Sequence, residues 1–395
     1  MDDVALAVVQ HYAKVRRDLP WRRTHDPYAI WVSEVMLQQT RVQTVIPYWE
    51  RWMAKFPTVR ALADAPLDDV LAAWAGLGYY SRARNLHKGA QAVRESGLPS
   101  KASELRDVPG IGPYTAGAIA SIAFGEKAPL VDGNVARVLA RVFAITADIK
   151  STAGQKALWS RAGELMAALP SPHAPGALNQ GLMELGATIC TPTGPRCLVC
   201  PLVKHCRAAI EGRQDELPVV AKRKGLDELP VLARAALWLQ QGDEIVLARR
   251  RAEGLFGGLW ELPQGDDRLE VARALGVTVD PDAVAYHDQV LSHRRLRIAV
   301  FRGGMPARLV AGALSGYDRI ARFSLGEVGS LGVAAATTAI LSKYEATPWN
   351  SIPKRSSSSP KATRRSSKGS AASGTTSRTR TSQKRRSARR RGSTS

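Results

Sequence analysis

The chain has 395 residues, 45% of them hydrophobic, which is enough for two or three domains that each bury a core. Its formal net charge is +21, and the stretch from Trp349 to Ser395 contributes 14 basic residues and no acid. No apolar run reaches membrane-spanning length and the acidic start MDDVALAVV is unlike a signal peptide, so we expect a soluble intracellular protein without membrane contact.

The basic stretch at residues 346–395 is filled with serine, threonine, glycine and alanine between its cations. Such a composition cannot bury enough apolar surface to fold, so we expect a disordered tail. The tail can act as a nonspecific nucleic-acid arm whose affinity falls with salt, or simply as a solubilising extension. Its KRRSARRR run resembles a nuclear-import signal. We expect a cytoplasmic protein, nucleoid-associated if it is bacterial, with a nuclear location left open.

A helix is predicted to begin at Pro27, because Asp26 can cap it and proline is favoured in a first helical turn. This helix carries Glu34 among apolar side chains. Burial among such neighbours raises the pKa of a carboxyl group and makes it a suitable proton donor near neutral pH. The alternative is an ordinary helix glutamate that faces solvent.

The stretch GLGYYSRARNL places Tyr79 and Tyr80 beside Arg82 and Arg84. Flat aromatic rings can wedge into a base stack while neighbouring arginines hold phosphates. The alternative is a pair of core tyrosines that precede a helix, and the residues alone leave both interpretations open.

A tight corner at residues 109–112 is followed by a helix of small residues and then by Asp132. Gly110 and Gly112 let the backbone turn sharply and approach a ligand. The free N–H groups of the corner and of the next helix form an anion site, which would hold a DNA phosphate without reading the base. Asp132 is a predicted N-cap, since apolar residues at helical spacing follow it. An ordinary helical hairpin with a glycine turn is the alternative.

All four cysteines of the chain fall within residues 190–206, in the pattern C-x6-C-x2-C-x5-C. A long chain without an export signal argues against two nested disulfides. Four thiolates so close in sequence favour a metal centre, and the spacing alone leaves zinc and an iron–sulfur cluster open. The cysteines are Cys190, Cys197, Cys200 and Cys206.

The composition and the residue pattern of the sequence change after residue 212. Residues 213–230 are charged and contain prolines, which is typical of a linker. Strand-like runs then flank a hairpin turn at Gln241–Asp243, another strand alternates around Ile298, and short helices are predicted at 268–275 and 334–344. The sequence therefore predicts a multidomain chain: an all-α domain at 1–212, an α+β domain at 231–345 and the basic tail.

Five segments and the cysteine spacing, in order, resemble the MutY-type adenine DNA glycosylases of the helix-hairpin-helix, endonuclease III-like superfamily. The match runs from residue 1 to about 212 without a gap and continues more loosely to about 345. It implies a helix-hairpin-helix glycosylase domain with a 4Fe–4S loop, followed by a Nudix-like domain that recognises 8-oxoguanine. The segments are LPWR (Leu19–Arg22), SEVMLQQT (Ser33–Thr40), GLGYYSRARNLHK (Gly76–Lys88), VPGIGPYTAGAI (Val108–Ile119) and VDGNVARVLAR (Val131–Arg141).

The resemblance implies base-excision repair: a monomer hydrolyses the N-glycosidic bond of adenine mispaired with 8-oxoguanine or guanine in duplex DNA. This bond breaks with positive charge on the sugar and negative charge on the base, so one protonated and one ionised acid are needed. The resemblance makes Glu34 the proton donor to adenine N7, Asp132 the anion beside the anomeric carbon, and Tyr114 a hydrogen-bonding helper.

Tyr114 also bears on strand cleavage. Endonuclease III-type enzymes carry a lysine at this place, and a phenol cannot form the Schiff base that lyase chemistry requires. We therefore expect a monofunctional glycosylase with little or no lyase activity. The alternative is an endonuclease III-like bifunctional glycosylase and lyase that acts on other base lesions.

The remaining contacts with DNA also follow from the resemblance. Trp21, Arg22 and Glu184 belong to the pocket for the extruded adenine, and Gln39 and Tyr79 fill the gap that the base leaves. In the Nudix-like domain, Ser292 and His293 are the candidate contacts of the lesion, although the family usually has phenylalanine where Leu291 stands. The 265–276 stretch has only scattered acids, so we expect no pyrophosphatase activity.

Overall fold

The computed structural model describes residues 1–221, 225–291, 293–310 and 312–344. The predicted tail and Ser292 lie outside these described residues. None of the helices within the described ranges combines the length and the apolarity that a membrane span requires.

Residues 1–212 fold as helices joined by short loops, which confirms the predicted all-α region. Short 3-10 turns lie at Pro20–Arg22, Cys197–Val199 and Val203–His205. The α-helices are α1 (Asp2–Val15), α2 (Pro27–Leu37), α3 (Val42–Lys55), α4 (Val59–Asp64), α5 (Leu67–Ala73), α6 (Ser81–Ala92), α7 (Ala102–Leu105), α8 (Pro113–Ala123), α9 (Gly133–Val142), α10 (Thr152–Ala167), α11 (Pro175–Thr188) and α12 (Arg207–Ile210).

Helix α2 is the central helix of this region. Asp26 caps it as predicted, with its carboxylate accepting hydrogen bonds from the backbone N–H of Tyr28 at 3.1 Å and of Ala29 at 3.3 Å. Every residue from Tyr28 to Met36 is buried, so α2 has no solvent face along this length. A helix that is apolar on all sides is stable only inside a protein, and this explains why the other helices surround it.

Two hydrophobic cores lie within the helical region. The first surrounds α2 and contains the fully buried Trp31, Trp52 and Trp74. The second joins α1, α9, α10 and α11 through aliphatic residues such as Leu139 and Leu182. Elements of both cores line one cavity, described below.

An α+β region follows, as predicted. The main path of its sheet runs in the order β3-β2-β1-β6-β5, and β4 and β7 pair with β1 and β2. Strands β1 and β2 form the predicted antiparallel hairpin, whereas β1 and β6 are parallel. The elements are β1 (Val231–Gln241), β2 (Glu244–Arg250), β3 (Trp260–Glu261), β4 (Gln264–Gly265), α13 (Arg268–Leu275), β5 (Val279–Val290), β6 (Arg295–Gly303), β7 (Tyr317–Ser324), α14 (Leu325–Val328) and α15 (Ala335–Tyr344).

Strands β3, β4, β5 and β7 are absent from the sequence-based prediction. Two of them have only two residues, and β5 is an edge strand whose VDP start and exposed charged positions hide any alternation. Backbone pairing with neighbouring strands, rather than side-chain pattern, makes these segments strands.

Gly117 lies in the interior of α8 where this helix meets the segment that leads to Asp132. A Cβ atom at Gly117 would lie 2.2 Å from the carbonyl oxygen of Pro129, whereas one at Gly163, within α10, would meet nothing within 4 Å. Gly117→Ala is therefore expected to lower the free energy of unfolding by about 1–3 kcal/mol through overpacking. Gly163→Ala is the matched control and should raise it by about 0.5–1 kcal/mol. Urea denaturation of both variants measures the difference, and equal stabilities would contradict the prediction.

Candidate active site

A cavity of about 720 Å³ opens between the two helical cores. It is lined by residues from α2, the 3-10 turn at Pro20–Arg22, α8, the start of α9, and α11. The structure thus gathers seven of the predicted site residues, which are far apart in sequence: Trp21, Arg22, Glu34, Gln39, Tyr114, Asp132 and Glu184.

Glu34 lies in the last turn of α2 and is only 5% exposed. The hydroxyl group of Tyr114 donates a short hydrogen bond to its Oε2 atom. Burial raises the pKa of Glu34 to about 7, and the nearby charge of Asp132 acts in the same direction, against the hydrogen bond from Tyr114. The apolar residues of α2 thus bury Glu34 in the protein interior, away from solvent.

Asp132 is the N-cap of α9, as predicted. Its carboxylate accepts hydrogen bonds from the backbone N–H of Val135 at 2.7 Å and from the side-chain amide of Asn134 at 3.1 Å. Burial raises the pKa of Asp132, while these hydrogen bonds and the charge of Arg137 favour its ionised form. Asp132 is therefore both the N-cap of α9 and a carboxylate on the wall of the cavity.

The negative charges of both Glu34 and Asp132 act on the phenol of Tyr114. Burial and the negative charges of Glu34 and Asp132 raise the pKa of this phenol well above its usual value. The hydroxyl group also lies 3.4 Å from the sulfur of Met183. Tyr114 consequently remains a hydrogen-bond donor at neutral pH and cannot serve as a base.

Glu184 does not have a free carboxylate. It accepts hydrogen bonds from Arg17 (Nε at 2.6 Å and Nη2 at 2.9 Å) and from Nη2 of Arg22 at 2.8 Å. Although burial acts to raise it, these hydrogen bonds lower the pKa of Glu184. Arg17 is a site residue that the sequence did not predict, because it follows α1 and belongs to none of the recognised segments. Its position four residues before Trp21 was the one available signal.

A second cavity of about 420 Å³ lies between the helical region and the α+β region. Tyr79 and His293 line it, together with Phe256 from the loop before β3. Tyr79 is 52% exposed, which fits a side chain that contacts a ligand, whereas Tyr80 is half-buried and donates to the carbonyl of Val333 at 3.3 Å. One tyrosine of the pair is therefore available and the other is structural.

The guanidinium groups of Arg82 and Arg84 bond backbone carbonyls in the structure, and phosphate contact by either of them stays a prediction. Arg82 donates to a set of backbone carbonyls within the helical region, and Arg84 donates to the carbonyl of Gly257 across the boundary with the α+β region. Carbonyl oxygens at loop and helix ends need donors, and these arginines supply them.

The glycine corner lies outside both cavities. Gly110 adopts a positive φ of 83°, and a Cβ atom there would lie 2.7 Å from Cβ of Asn85, so only glycine fits. Gly112 is the N-cap of α8, and space is open around its Cα. Gly112 is exposed at the start of α8, and the anion site at this corner stays a prediction.

The four cysteines line a third, apolar cavity and none forms a disulfide. Arg141, which is only 2% exposed, donates to the sulfur of Cys190 at 3.3 Å and to the carbonyl of Thr191 at 2.7 Å. Burial raises the pKa of Cys200 to about 11, so a thiolate there needs positive charge nearby. Within the described ranges no three His, Cys, Asp or Glu side chains converge closely enough for one metal ion.

Two family models match the chain. The model of the HhH-GPD superfamily base excision DNA repair proteins matches residues 32–163, and the model of the NUDIX domain matches residues 234–343. The first match runs from the middle of α2 into α10 and includes Glu34, Tyr114 and Asp132. The second covers most of the α+β region.

Curated relatives of this chain carry the name adenine DNA glycosylase, and three of them show the extent of the match. The chain is 41% identical to the Homo sapiens protein over 65% of its own length and 56% of the relative's, and 42% identical to the Arabidopsis thaliana protein over 66% and 47%. It is 37% identical to the protein of Buchnera aphidicola subsp. Baizongia pistaciae over 63% of this chain and 70% of that protein. The chain thus spans about half of the length of the first two relatives.

Replacing Glu34 with glutamine should change how stability depends on pH. In the folded protein the pKa of Glu34 is raised from 4.5 to about 7, so folding favours the protonated carboxyl group. The stability of the wild-type protein is therefore expected to fall as pH rises from about 4.5 to 7, while the glutamine variant lacks this loss. The difference in free energy of unfolding should grow by up to about 3 kcal/mol across this range.

Glu164→Gln serves as the control in the same denaturation experiments. Hydrogen bonds from Ser160 and Arg161 lower the pKa of Glu164, so its ionised form contributes a little stability that is lost as pH falls. The control should therefore show a small effect of opposite sign. Equal pH profiles for Glu34→Gln and the wild-type protein would show that the Glu34 carboxyl is not buried.

Proposed function

Since this chain belongs to the adenine DNA glycosylase family, we propose that it hydrolyses the N-glycosidic bond of adenine mispaired with 8-oxoguanine or guanine in duplex DNA. The observation that carries this proposal is the meeting of Glu34 and Asp132 in one cavity with different hydrogen-bond environments. An endonuclease III-like enzyme for other lesions is the second candidate, and the names of the curated relatives favour the first.

Glu34 is the general acid of the proposed reaction. Its raised pKa of about 7 leaves a large protonated fraction near neutral pH. The carboxyl group donates its proton to N7 of adenine, so that the base leaves as a neutral molecule. Tyr114 holds one oxygen of this carboxyl group in place through its hydrogen bond. The target adenine must leave the base stack to reach it.

Asp132 stabilises the positive charge that develops on the sugar. The N–H of Val135 and the amide of Asn134 fix its carboxylate, and both favour the ionised form. Burial raises the pKa of both carboxyl groups, but Asp132 accepts hydrogen bonds from Val135 and Asn134 that favour its ionised form. Glu34 is therefore proposed as the protonated acid and Asp132 as the anion, as the bond cleavage requires. Trp21, Arg22 and Glu184 are proposed to bound the pocket that receives the base, with Gln39 at its rim.

The proposed enzyme is monofunctional. The side chain next to Glu34 is the phenol of Tyr114 and not an amine, and the raised pKa of this phenol keeps it protonated. A protonated phenol cannot attack the sugar and cannot form a Schiff base.

The base opposite the adenine is proposed to bind at the second cavity. The exposed ring of Tyr79 and the exposed His293 line this cavity from the helical and the α+β regions respectively. Ring and imidazole can together stack on and hydrogen-bond an oxidised purine. Ser292, the other candidate contact, lies outside the described residues.

A 4Fe–4S cluster is proposed at Cys190, Cys197, Cys200 and Cys206. The donor set fits: four cysteines without disulfides line one apolar cavity, and buried Arg141 supplies a positive charge beside Cys190. The resemblance of the cysteine spacing to that of the family favours this cluster over zinc, which the spacing alone leaves open. When bound, the cluster supplies a rigid, negatively charged centre for the loop, whose exposed Lys204 and Arg207 are proposed to contact phosphates.

We also propose that the enzyme acts as a monomer in the cytoplasm, at the nucleoid in a bacterium, and that the basic tail binds nucleic acid nonspecifically. The support for the tail is its charge, 14 cations and no acid from Trp349 onward. Such binding would weaken steeply as salt concentration rises.

A duplex with one adenine opposite 8-oxoguanine tests the reaction. The adenine strand should break only after alkali treatment, because the enzyme leaves an abasic site and does not cleave the backbone. Glu34→Gln and Asp132→Asn should each lower the single-turnover rate of adenine release by at least about 10²-fold while duplex affinity is kept. Cleavage without alkali, or trapping by borohydride, would instead indicate the lyase alternative.

Metal analysis tests the cysteine centre. The purified chain should contain about four iron atoms, and Cys200→Ser should lower the iron content. Ser96→Ala, far from the cysteines in sequence, is a control that should keep it. A full complement of zinc without iron would contradict the proposed cluster.

A further inference from the structure

Two loops carry the side chains that are proposed to fill the gap left by the adenine. The Gln39 loop (residues 38–40) lies at the rim of the first cavity, and the Tyr79 loop (residues 77–80) lines the second. Gln39 has φ of 59° and Tyr79 has φ of 46°, and these are two of only four non-glycine residues with positive φ in the described part of the chain. Such conformations are strained for residues with a side chain and persist only where neighbours enforce them.

One guanidinium group is bonded to both loops. On the side of the Gln39 loop, Nη1 of Arg82 donates to the carbonyl of Gln38 in a short contact, and Nη2 lies 3.4 Å from the hydroxyl of Thr40. On the side of the Tyr79 loop, Nη2 donates to the carbonyls of Leu77 at 3.1 Å and Gly78 at 3.3 Å. Arg82 therefore bridges residues that are about forty positions apart in sequence.

The same group also ends the helix that carries Glu34. Nη1 of Arg82 donates to the carbonyls of Val35 at 2.9 Å and Met36 at 3.2 Å, two of the last-turn carbonyls of α2 that have no partner within the helix. A cation at a helix C-terminus is favourable because of the helix dipole. The end of α2, and with it Glu34, is thus fixed relative to both loops.

Aromatic rings surround the guanidinium group. Its carbon lies 5.3 Å from the ring centroid of Trp74 and 5.5 Å from that of Tyr79. Burial lowers the pKa of Arg82 to about 10, so the group remains charged at neutral pH. The contact with Tyr79 means that Arg82 touches the exposed ring itself as well as the loop that carries it.

On the basis of the proposed function, we propose that Arg82 is a positioning residue that joins the Gln39 loop and the Tyr79 loop into one unit, so that contact with the opposite base and extrusion of the adenine occur together. Arg82 need not touch DNA to do this. Without the N–H donors of Arg82, each loop would relax towards unstrained backbone conformations. Gln39 and Tyr79 would then no longer be held at a fixed position relative to each other.

Base extrusion can be measured without bond cleavage. A duplex with 2-aminopurine in place of the target adenine, opposite 8-oxoguanine, gains fluorescence when the base leaves the stack. Saturating wild-type protein should raise the fluorescence, and Arg82→Met should give less than half of that increase at saturation. Arg161→Met is the matched control, since Arg161 also lies over a ring (Phe143, at 5.1 Å) and bonds a neighbour, and it should match the wild-type protein.

Adenine release gives the second readout. On a duplex with adenine opposite 8-oxoguanine, Arg82→Met should lower the single-turnover rate by about tenfold or more. When the same adenine faces an abasic site, there is no opposite base to wedge against, and the variant should remain within about threefold of the wild-type rate. A residue that only supported the fold or the pKa of Glu34 would cause equal losses on both duplexes, and that result would overturn the proposal.

Arg82→Lys covers the case in which the methionine variant does not fold. Lysine keeps the charge but has three donors on one atom, so it cannot serve both loops at once. It should show an intermediate loss in the same two readouts, and wild-type behaviour would overturn the proposal. No fluorescence increase with the wild-type protein would also overturn it. Failure of adenine release with normal extrusion would instead contradict the proposed function alone.

Discussion

A carboxylic acid buried inside the helical region sets the main electrostatic constraint on the candidate active site. Glu34 belongs to a helix with no solvent face, so its carboxyl group is taken out of water by the folding of the chain. A buried carboxyl group must be neutral, paired or hydrogen-bonded. Here Tyr114 supplies a donor, but burial outweighs this hydrogen bond, so the pKa rises to about 7.

The second acid is positioned by a different core. Asp132 caps α9, and the close approach of neighbouring elements holds the start of that helix in place. Gly117 allows α8 to approach the segment before Asp132, and Gly186 of α11 lies where a Cβ atom would be 2.6 Å from Cβ of Asn134. Small residues therefore set the distance between elements, and the two acids meet because the two cores pack against a common cavity.

Arginines near the cavities differ in role although the sequence presents them alike. Arg17 and Arg22 pair with Glu184 and keep it ionised. Arg82 and Arg84 serve backbone carbonyls, the first within the helical region and the second at the boundary with the α+β region. The reason is local. Buried carbonyl oxygens without a donor are costly, and Arg82 and Arg84 lie next to such oxygens and bond them.

The sequence by itself determined the helical and α+β regions, the caps at Asp26 and Asp132, the hairpin at Gln241–Asp243 and the proximity of the four cysteines, because caps, turns and periodicity are local properties of the chain. Strand β7, the bond of Arg17 to Glu184 and the bonds of Arg82 to the end of α2 were decided only by the tertiary structure, since these partners lie tens of residues or more away. Strand β5 pairs with the neighbouring β6, and its side-chain pattern did not reveal it. The separation between Glu34 and Asp132 is of the same kind. No local pattern encodes it, and it exists only when two cores, each built from distant helices, enclose one cavity.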